Sequence, residues 1–126
     1  MRERAGTYRR LIYKVKYSPD ASDKLKELKR TITASRGSND ALKYVSSITN
    51  SVKNLGVSPL KGPSVAAFLG IETSYRFLHI YHYYIFYRVD TPIIYITDIF
   101  HEREDFMREL FGISSRTEES IDYWGE

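Results

Sequence analysis

The sequence predicts an α+β fold: an N-terminal strand, a helical hairpin packed on a twisted antiparallel sheet of about four strands, and a short C-terminal helix. Three observations lead to it. Residues 75–105, YRFLHIYHYYIFYRVDTPIIYITDIFHERED, hold three runs rich in Tyr, Phe, Ile and Val broken by short turn signals, the pattern of an antiparallel meander. Ahead of them lie two stretches with apolar residues at helical spacing, joined by a short Gly-containing link. Before those, one stretch alternates apolar and basic residues.

That first stretch, Tyr8 to Tyr17, sets Leu11, Tyr13, Val15 and Tyr17 against Arg10, Ile12, Lys14 and Lys16, as an edge or outer strand would. Ser18-Pro19-Asp20 then starts a helix, with a hydroxyl at the N-cap, proline at the first helical position and an acid near the positive end of the dipole. Its core stripe is Ala21, Leu25, Leu28 and Ile32. Arg36-Gly37-Ser38-Asn39 ends this helix and caps the next, whose apolar positions Ala41, Tyr44, Val45, Ile48, Val52 and Leu55 keep helical spacing to about Asn54. Each helix has one apolar stripe, which must be laid on something, here the sheet. Residues 56–63 read as a turn-rich loop, and 65–73 fit either a short helix or a lead-in to a strand. The meander strands fall at about 74–81, 84–90 and 93–100, broken near His82-Tyr83 and at Asp90-Thr91-Pro92. A helix over 102–110 follows, stopped by Gly112, and the polar, acidic 113–126 is a tail whose Trp124 suggests that it docks back.

At 126 residues the chain is expected to form a single domain, its core at about 8–112, and to bury roughly two thirds of its unfolded surface in a two-layer core. It has no cysteine, hence no disulfide and no thiolate zinc site. The charged first residues lead into no apolar run of signal or membrane length, so the expected location is the cytoplasm. Charge is unevenly spread. Residues 1–62 carry 14 Lys and Arg against 5 Asp and Glu, a net +9, and residues 63–126 carry 5 against 11, a net −6. The basic half attracts phosphate or an anionic protein; Lys24, Lys26, Lys29 and Arg30 fit equally a solvated helix face.

Five pieces in this order carry a family resemblance: Tyr13-Lys14-Val15-Lys16-Tyr17-Ser18-Pro19-Asp20-Ala21, Pro59-Leu60-Lys61-Gly62, Tyr75-Arg76-Phe77-Leu78, Ile85-Phe86-Tyr87-Arg88-Val89 and Ile99-Phe100-His101-Glu102-Arg103-Glu104-Asp105. Together the chain resembles the RelE/ParE superfamily of type II toxins over roughly residues 13–111. The resemblance implies a toxin neutralised by a cognate antitoxin, with two activities open. RelE-like members cut mRNA on the ribosome without a metal, and ParE-like members poison DNA gyrase. A non-enzymatic antitoxin-binding relative is the third possibility. The first expectation is the ribonuclease, with no cofactor.

Metal-free RNA cleavage requires a base for the 2′-OH proton, cations for the charge growing on phosphate, and an acid for the departing 5′-oxygen. His101 is the candidate acid or base, and Arg76 and Arg103 are the candidate catalytic phosphate clamps, because imidazole titrates near neutrality and guanidinium is forked to match two oxygens. Lys61, Arg88 and Tyr87 are candidate substrate-binding residues. The arrangement works if Arg76 and His101 meet at one end of the sheet. Each has a structural alternative: a salt bridge from Arg76 to Asp98 or Glu72, helix capping by His101, or pairing of Arg103 with Glu102, Glu104 or Asp105. His79 and His82 read as sheet residues, and the three histidines lack metal-ligand spacing. Against the nuclease stand the acids beside His101 and the aromatic Tyr84.

Overall fold

The computed structural model describes residues 12–104 and 106–112. Its elements run β1 (Lys14–Tyr17), α1 (Pro19–Arg36), α2 (Ser38–Asn54), α3 (Val65–Leu69), β2 (Arg76–Ile80), β3 (Tyr83–Asp90), β4 (Ile93–His101) and α4 (Phe106–Phe111). The four strands form one sheet in the order β1-β4-β3-β2. The meander β2-β3-β4 is antiparallel as expected, but β1 lies parallel to β4, so the sheet is mixed. Connectivity explains the correction: the helical hairpin carries the chain from β1 across the sheet, and such a crossover returns the chain in the direction in which it left.

The N-cap of α1 is as read from sequence. Ser18 Oγ accepts the Ala21 N–H at 3.0 Å, and the same hydroxyl donates to Thr97 O at 2.8 Å, which ties the helix start to β4. One side chain thus fixes both where α1 begins and where it lies. The start of α2 falls within the 36–39 link: Gly37, at φ 98°, is the cap residue and Ser38 the first helical residue, and no side chain caps this helix. The open stretch 65–73 contains a five-residue helix, with Ser64 Oγ accepting the Ala67 N–H and Gly70 closing it in the left-handed region at φ 69°. Helix α4 starts later than expected, because Glu102 to Glu104 form a turn in which Glu104 Oε1 accepts the His101 N–H. The predicted strand residues 8–11 and the tail 113–126 lie outside the described residues.

Sheet alternation sorts the side chains into two cores rather than the single two-layer core expected. On one face Leu78, Ile85, Tyr87, Ile94, Ile96 and Ile99 meet the stripes of α1 and α2, led by Ala21, Leu28, Ile32, Ala41, Ile48 and Val52. On the other, Phe77, Tyr84, Phe86 and Phe100 form an aromatic cluster covered by Val65 of α3 and Phe106 of α4. A register shift between Phe86 and Tyr87 leaves Thr97 as the extra residue on β4, and its hydroxyl donates to Phe86 O at 3.1 Å. This bulge keeps both Ile96 and Ile99 on the hairpin face.

Strand β1 covers only the first part of β4, and beyond it the open edge of β4 is closed by side chains. Asp98 Oδ1 accepts the Ile99 N–H, Glu104 takes that of His101, and Ser18 donates to Thr97 O. Lys24 reaches across from α1 to Asp98 at 3.1 Å and lies 3.7 Å from the centroid of the Phe100 ring. Side chains thus occupy the Ile99 and His101 N–H groups and the Thr97 carbonyl, which another strand would otherwise pair with.

Candidate functional site

The register settles where the sequence candidates fall. Arg76 sits opposite Tyr87, while His101 sits opposite Tyr83, four residues earlier in β3. That is about 13 Å along the strands, with two strand spacings, about 10 Å, across them. Arg76 and His101 therefore do not converge on one phosphate. The candidates divide between the two ends of the sheet: Arg76, Tyr87, Arg88 and Lys61 at one, His101 and Arg103 at the other.

At the first end Arg76 and Tyr87 hold the loop 58–63. Tyr87 is fully buried; its hydroxyl donates to Pro59 O and accepts the Gly62 N–H, both at 2.9 Å. Burial raises its pKa, although the Gly62 N–H and the Arg76 charge pull the other way. A residue so enclosed cannot touch a substrate, which corrects its expected binding role. Arg76 Nη1 donates to Gly62 O at 2.6 Å and, at 3.5 Å, to Leu60 O. Its partners are carbonyls, not the Asp98 or Glu72 carboxylates; Asp98 belongs to Lys24. Gly62 is required by space: an added Cβ would lie 2.3 Å from Phe77 O and 2.8 Å from the Tyr87 hydroxyl. Lys61 is exposed at the loop tip, and Arg88 projects from the other face of β3, its guanidinium 5.5 Å from the Tyr95 ring centroid.

The second end assembles a cluster that sequence reasoning did not foresee. His79 Nε2 and His82 Nδ1 each hydrogen-bond one oxygen of Glu102, at 3.0 and 2.9 Å. The Glu102 N–H donates to His82 O at 2.8 Å, so the tip of the β2-β3 hairpin grips the turn after β4 by backbone and side chain together. The Glu102 side chain is only 13% exposed. Burial opposes ionisation of its carboxyl, but the hydrogen bonds and charges from His82 and His79 outweigh that and hold its pKa below the ordinary value. The His79 ring stacks on the buried Tyr84 at 4.2 Å. His101 joins from β4: its ring is 6.2 Å from that of His82 and edge-on to Tyr83 at 5.2 Å. Its Nδ1 accepts the Arg103 N–H at 3.1 Å, which leaves the proton of the neutral ring on Nε2.

The signal missed was the two-residue turn. Because Ile80 pairs with Tyr83, the hairpin tip is Tyr81-His82, with Tyr81 at φ 56°, and this carries His82 toward the end of β4. A cavity of about 320 Å³ opens beside His101, between α1 and the sheet, lined by Lys24, Glu27, Thr31, Tyr83 and Glu104 among others. Chemically this end offers oriented imidazoles and carboxylates, and the other a rigid loop with an exposed cation. Among the described residues no group of three or more His, Asp or Glu is placed to hold a metal ion.

Known proteins resolve the family. The model described as "ParE toxin of type II toxin-antitoxin system, parDE" matches residues 15–106, from β1 to the first residue of α4. The chain belongs to the ParE toxin family. Within this ParE chain the matched region holds the helical hairpin, all of the sheet but Lys14, and both ends just described. The solved structure titled "Chromosomal ParDE TA system from P. aeruginosa" shares the fold, with a TM-score of 0.60 at 22% identity over 71% of this chain and 96% of that one. No curated protein matches the sequence significantly. Among the described residues no helix is long and apolar enough to cross a membrane.

Proposed function

We propose that this ParE-family toxin acts on DNA gyrase and is held inactive by a cognate antitoxin. The observation that carries the reading is the family match over residues 15–106, since ParE-type toxins are gyrase poisons. The geometry supports it from the other side: the Arg76–His101 pairing on which a phosphate-cleaving centre was to rest is divided between opposite ends of the sheet. The test is direct. Purified toxin added to gyrase should block supercoiling and produce DNA breaks, while message stays intact in cells expressing it. Unimpaired supercoiling at a large molar excess of toxin sinks the proposal.

One observation favours a second reading, the ribosome-dependent ribonuclease. His82, with Nδ1 on Glu102, presents its other nitrogen as a base, and His101, with Nδ1 occupied by a backbone N–H, presents Nε2–H as a hydrogen-bond donor to a phosphate oxygen. On that reading the cluster at the hairpin tip, with Arg103 beside it, replaces the Arg76–His101 pair. Message cut only in the presence of ribosomes, and lost in His82→Gln and His101→Gln, would decide for it.

The antitoxin is read as an anionic segment lying over the basic helical hairpin, where Lys26, Lys29 and Arg30 are exposed on α1.

A further inference from the structure

The loop between α2 and α3 is anchored more heavily than a connection needs. Lys61 N–H closes a turn on Ser58 O at 3.1 Å, with Pro59 and Leu60 at its corners. Beneath it the buried Tyr87 hydroxyl binds Pro59 O and the Gly62 N–H, Arg76 binds Gly62 O and Leu60 O, and the Phe77 N–H donates to Pro63 O. Prolines at both ends and a glycine with no room for a Cβ leave the backbone little freedom.

All of this fixation is spent on the backbone, and the two tip side chains point away from it. Leu60 is 63% exposed and Lys61 is exposed beside it. Ile12 and Val57, also exposed, belong to the same region, Ile12 against Gly56 and Val57 one residue on. Half of the six exposed large apolar side chains among the described residues thus lie in or against this one connection. A large apolar side chain held outward on a rigid support contributes nothing to the core, and preorganisation of this kind lowers the entropy lost on binding.

We propose that the Ser58–Lys61 turn is the anchor by which the toxin docks on its protein target, Leu60 entering an apolar pocket and Lys61 pairing with carboxylates at its rim. A protein fits better than a nucleic acid. The tip offers one cation next to an aliphatic side chain, whereas a phosphate backbone asks for several cations and bases ask for exposed planar groups. An acidic rim is favoured because the turn ends the half of the chain that carries net +9. The proposal deepens the gyrase reading and rests on its claim that the target is a protein.

The experiment compares full-length wild-type toxin with Leu60→Asp, Lys61→Glu and Tyr87→Phe in gyrase supercoiling inhibition. Melting curves check the fold; the first two variants should melt as wild type because both side chains are exposed. Leu60→Asp should raise the half-inhibitory concentration about tenfold or more, and Lys61→Glu about threefold or more. Tyr87→Phe, which loosens the loop without altering its tip, should fall between wild type and Leu60→Asp. If wild type inhibits gyrase and both tip variants inhibit equally well, the anchor is refuted while the gyrase reading stands. If wild type does not inhibit gyrase, that reading fails, and growth arrest at matched expression judges the anchor: loss of arrest in the tip variants supports it, and full arrest refutes it. Normal ribosome-dependent RNA cleavage by the tip variants also refutes it.

Discussion

At the residue scale, position in the sheet decides role more than residue type does. Arg76 and His101 are natural partners by chemistry, and the sequence reading has them meet at one end of the sheet. The register places them about 16 Å apart, and each acquires local company instead: Arg76 the carbonyls of loop 58–63, His101 the ring of Tyr83 and the turn after β4. Glu102 illustrates the reverse, a residue read as an awkward acid that becomes the centre of a cluster. Because its folded pKa lies below the ordinary carboxyl value, its ionisation stabilises the fold above the unfolded-state pKa, and this contribution is lost as pH falls through the folded value. Glu102→Gln should therefore cost stability at pH 7, up to about 1 kcal/mol for partners this exposed, and the difference from wild type should vanish in acid. Urea unfolding at pH 7 and pH 3 measures it. A gap that stays constant with pH would mean that the carboxylate charge is not what His79 and His82 hold.

At the element scale, α4 is the piece whose placement matters most for its length. It contributes Phe106, fully buried against Tyr84, Phe86 and Phe100, with ring centroids 5.3 to 6.1 Å away. The turn that delivers it is the one gripped by His79 and His82. Phe106→Ala should cost about 3–5 kcal/mol, since the aromatic cluster cannot close around the vacated space. Equilibrium unfolding monitored by tyrosine fluorescence checks this, and a cost under about 1 kcal/mol would show that α4 is not part of the cooperative core. The hairpin helices were legible because caps and stripes are local: Ser18, Pro19 and the spacing of Ala21, Leu28 and Ile32 suffice. Helix α3 stayed ambiguous because five residues carry too little periodicity to separate a helix from a strand.

For the whole molecule, charge asymmetry is the property that reaches furthest. Lys14 and Lys16 of β1 and Lys26, Lys29 and Arg30 of α1 are exposed, so an anionic partner meets cations on the strand and the first helix alike. Affinity for the cognate antitoxin should fall by about tenfold as salt rises from roughly 0.1 to 0.5 M, mostly through slower association, and Lys26→Glu with Lys29→Glu should flatten that dependence. Titration calorimetry and stopped-flow mixing at several salt concentrations test both. Affinity indifferent to salt would place the antitoxin on an apolar surface instead.

By itself the sequence determined the order of the strands and the two long helices, the start of α1, the end of α2, the antiparallel meander and the RelE/ParE superfamily, because each is written in short-range signals or in pieces kept in order along the chain. Tertiary structure decided the parallel pairing of β1, the second aromatic core, and which polar groups meet. The reason is physical. Strand pairing joins residues that are far apart in sequence; a shift of one residue at the bulge sets which face of the sheet a side chain takes, and the two-residue turn at Tyr81-His82 sets which end it reaches. Three histidines that look scattered along the chain are gathered by that register, and an arginine that looks adjacent to them is carried to the far end.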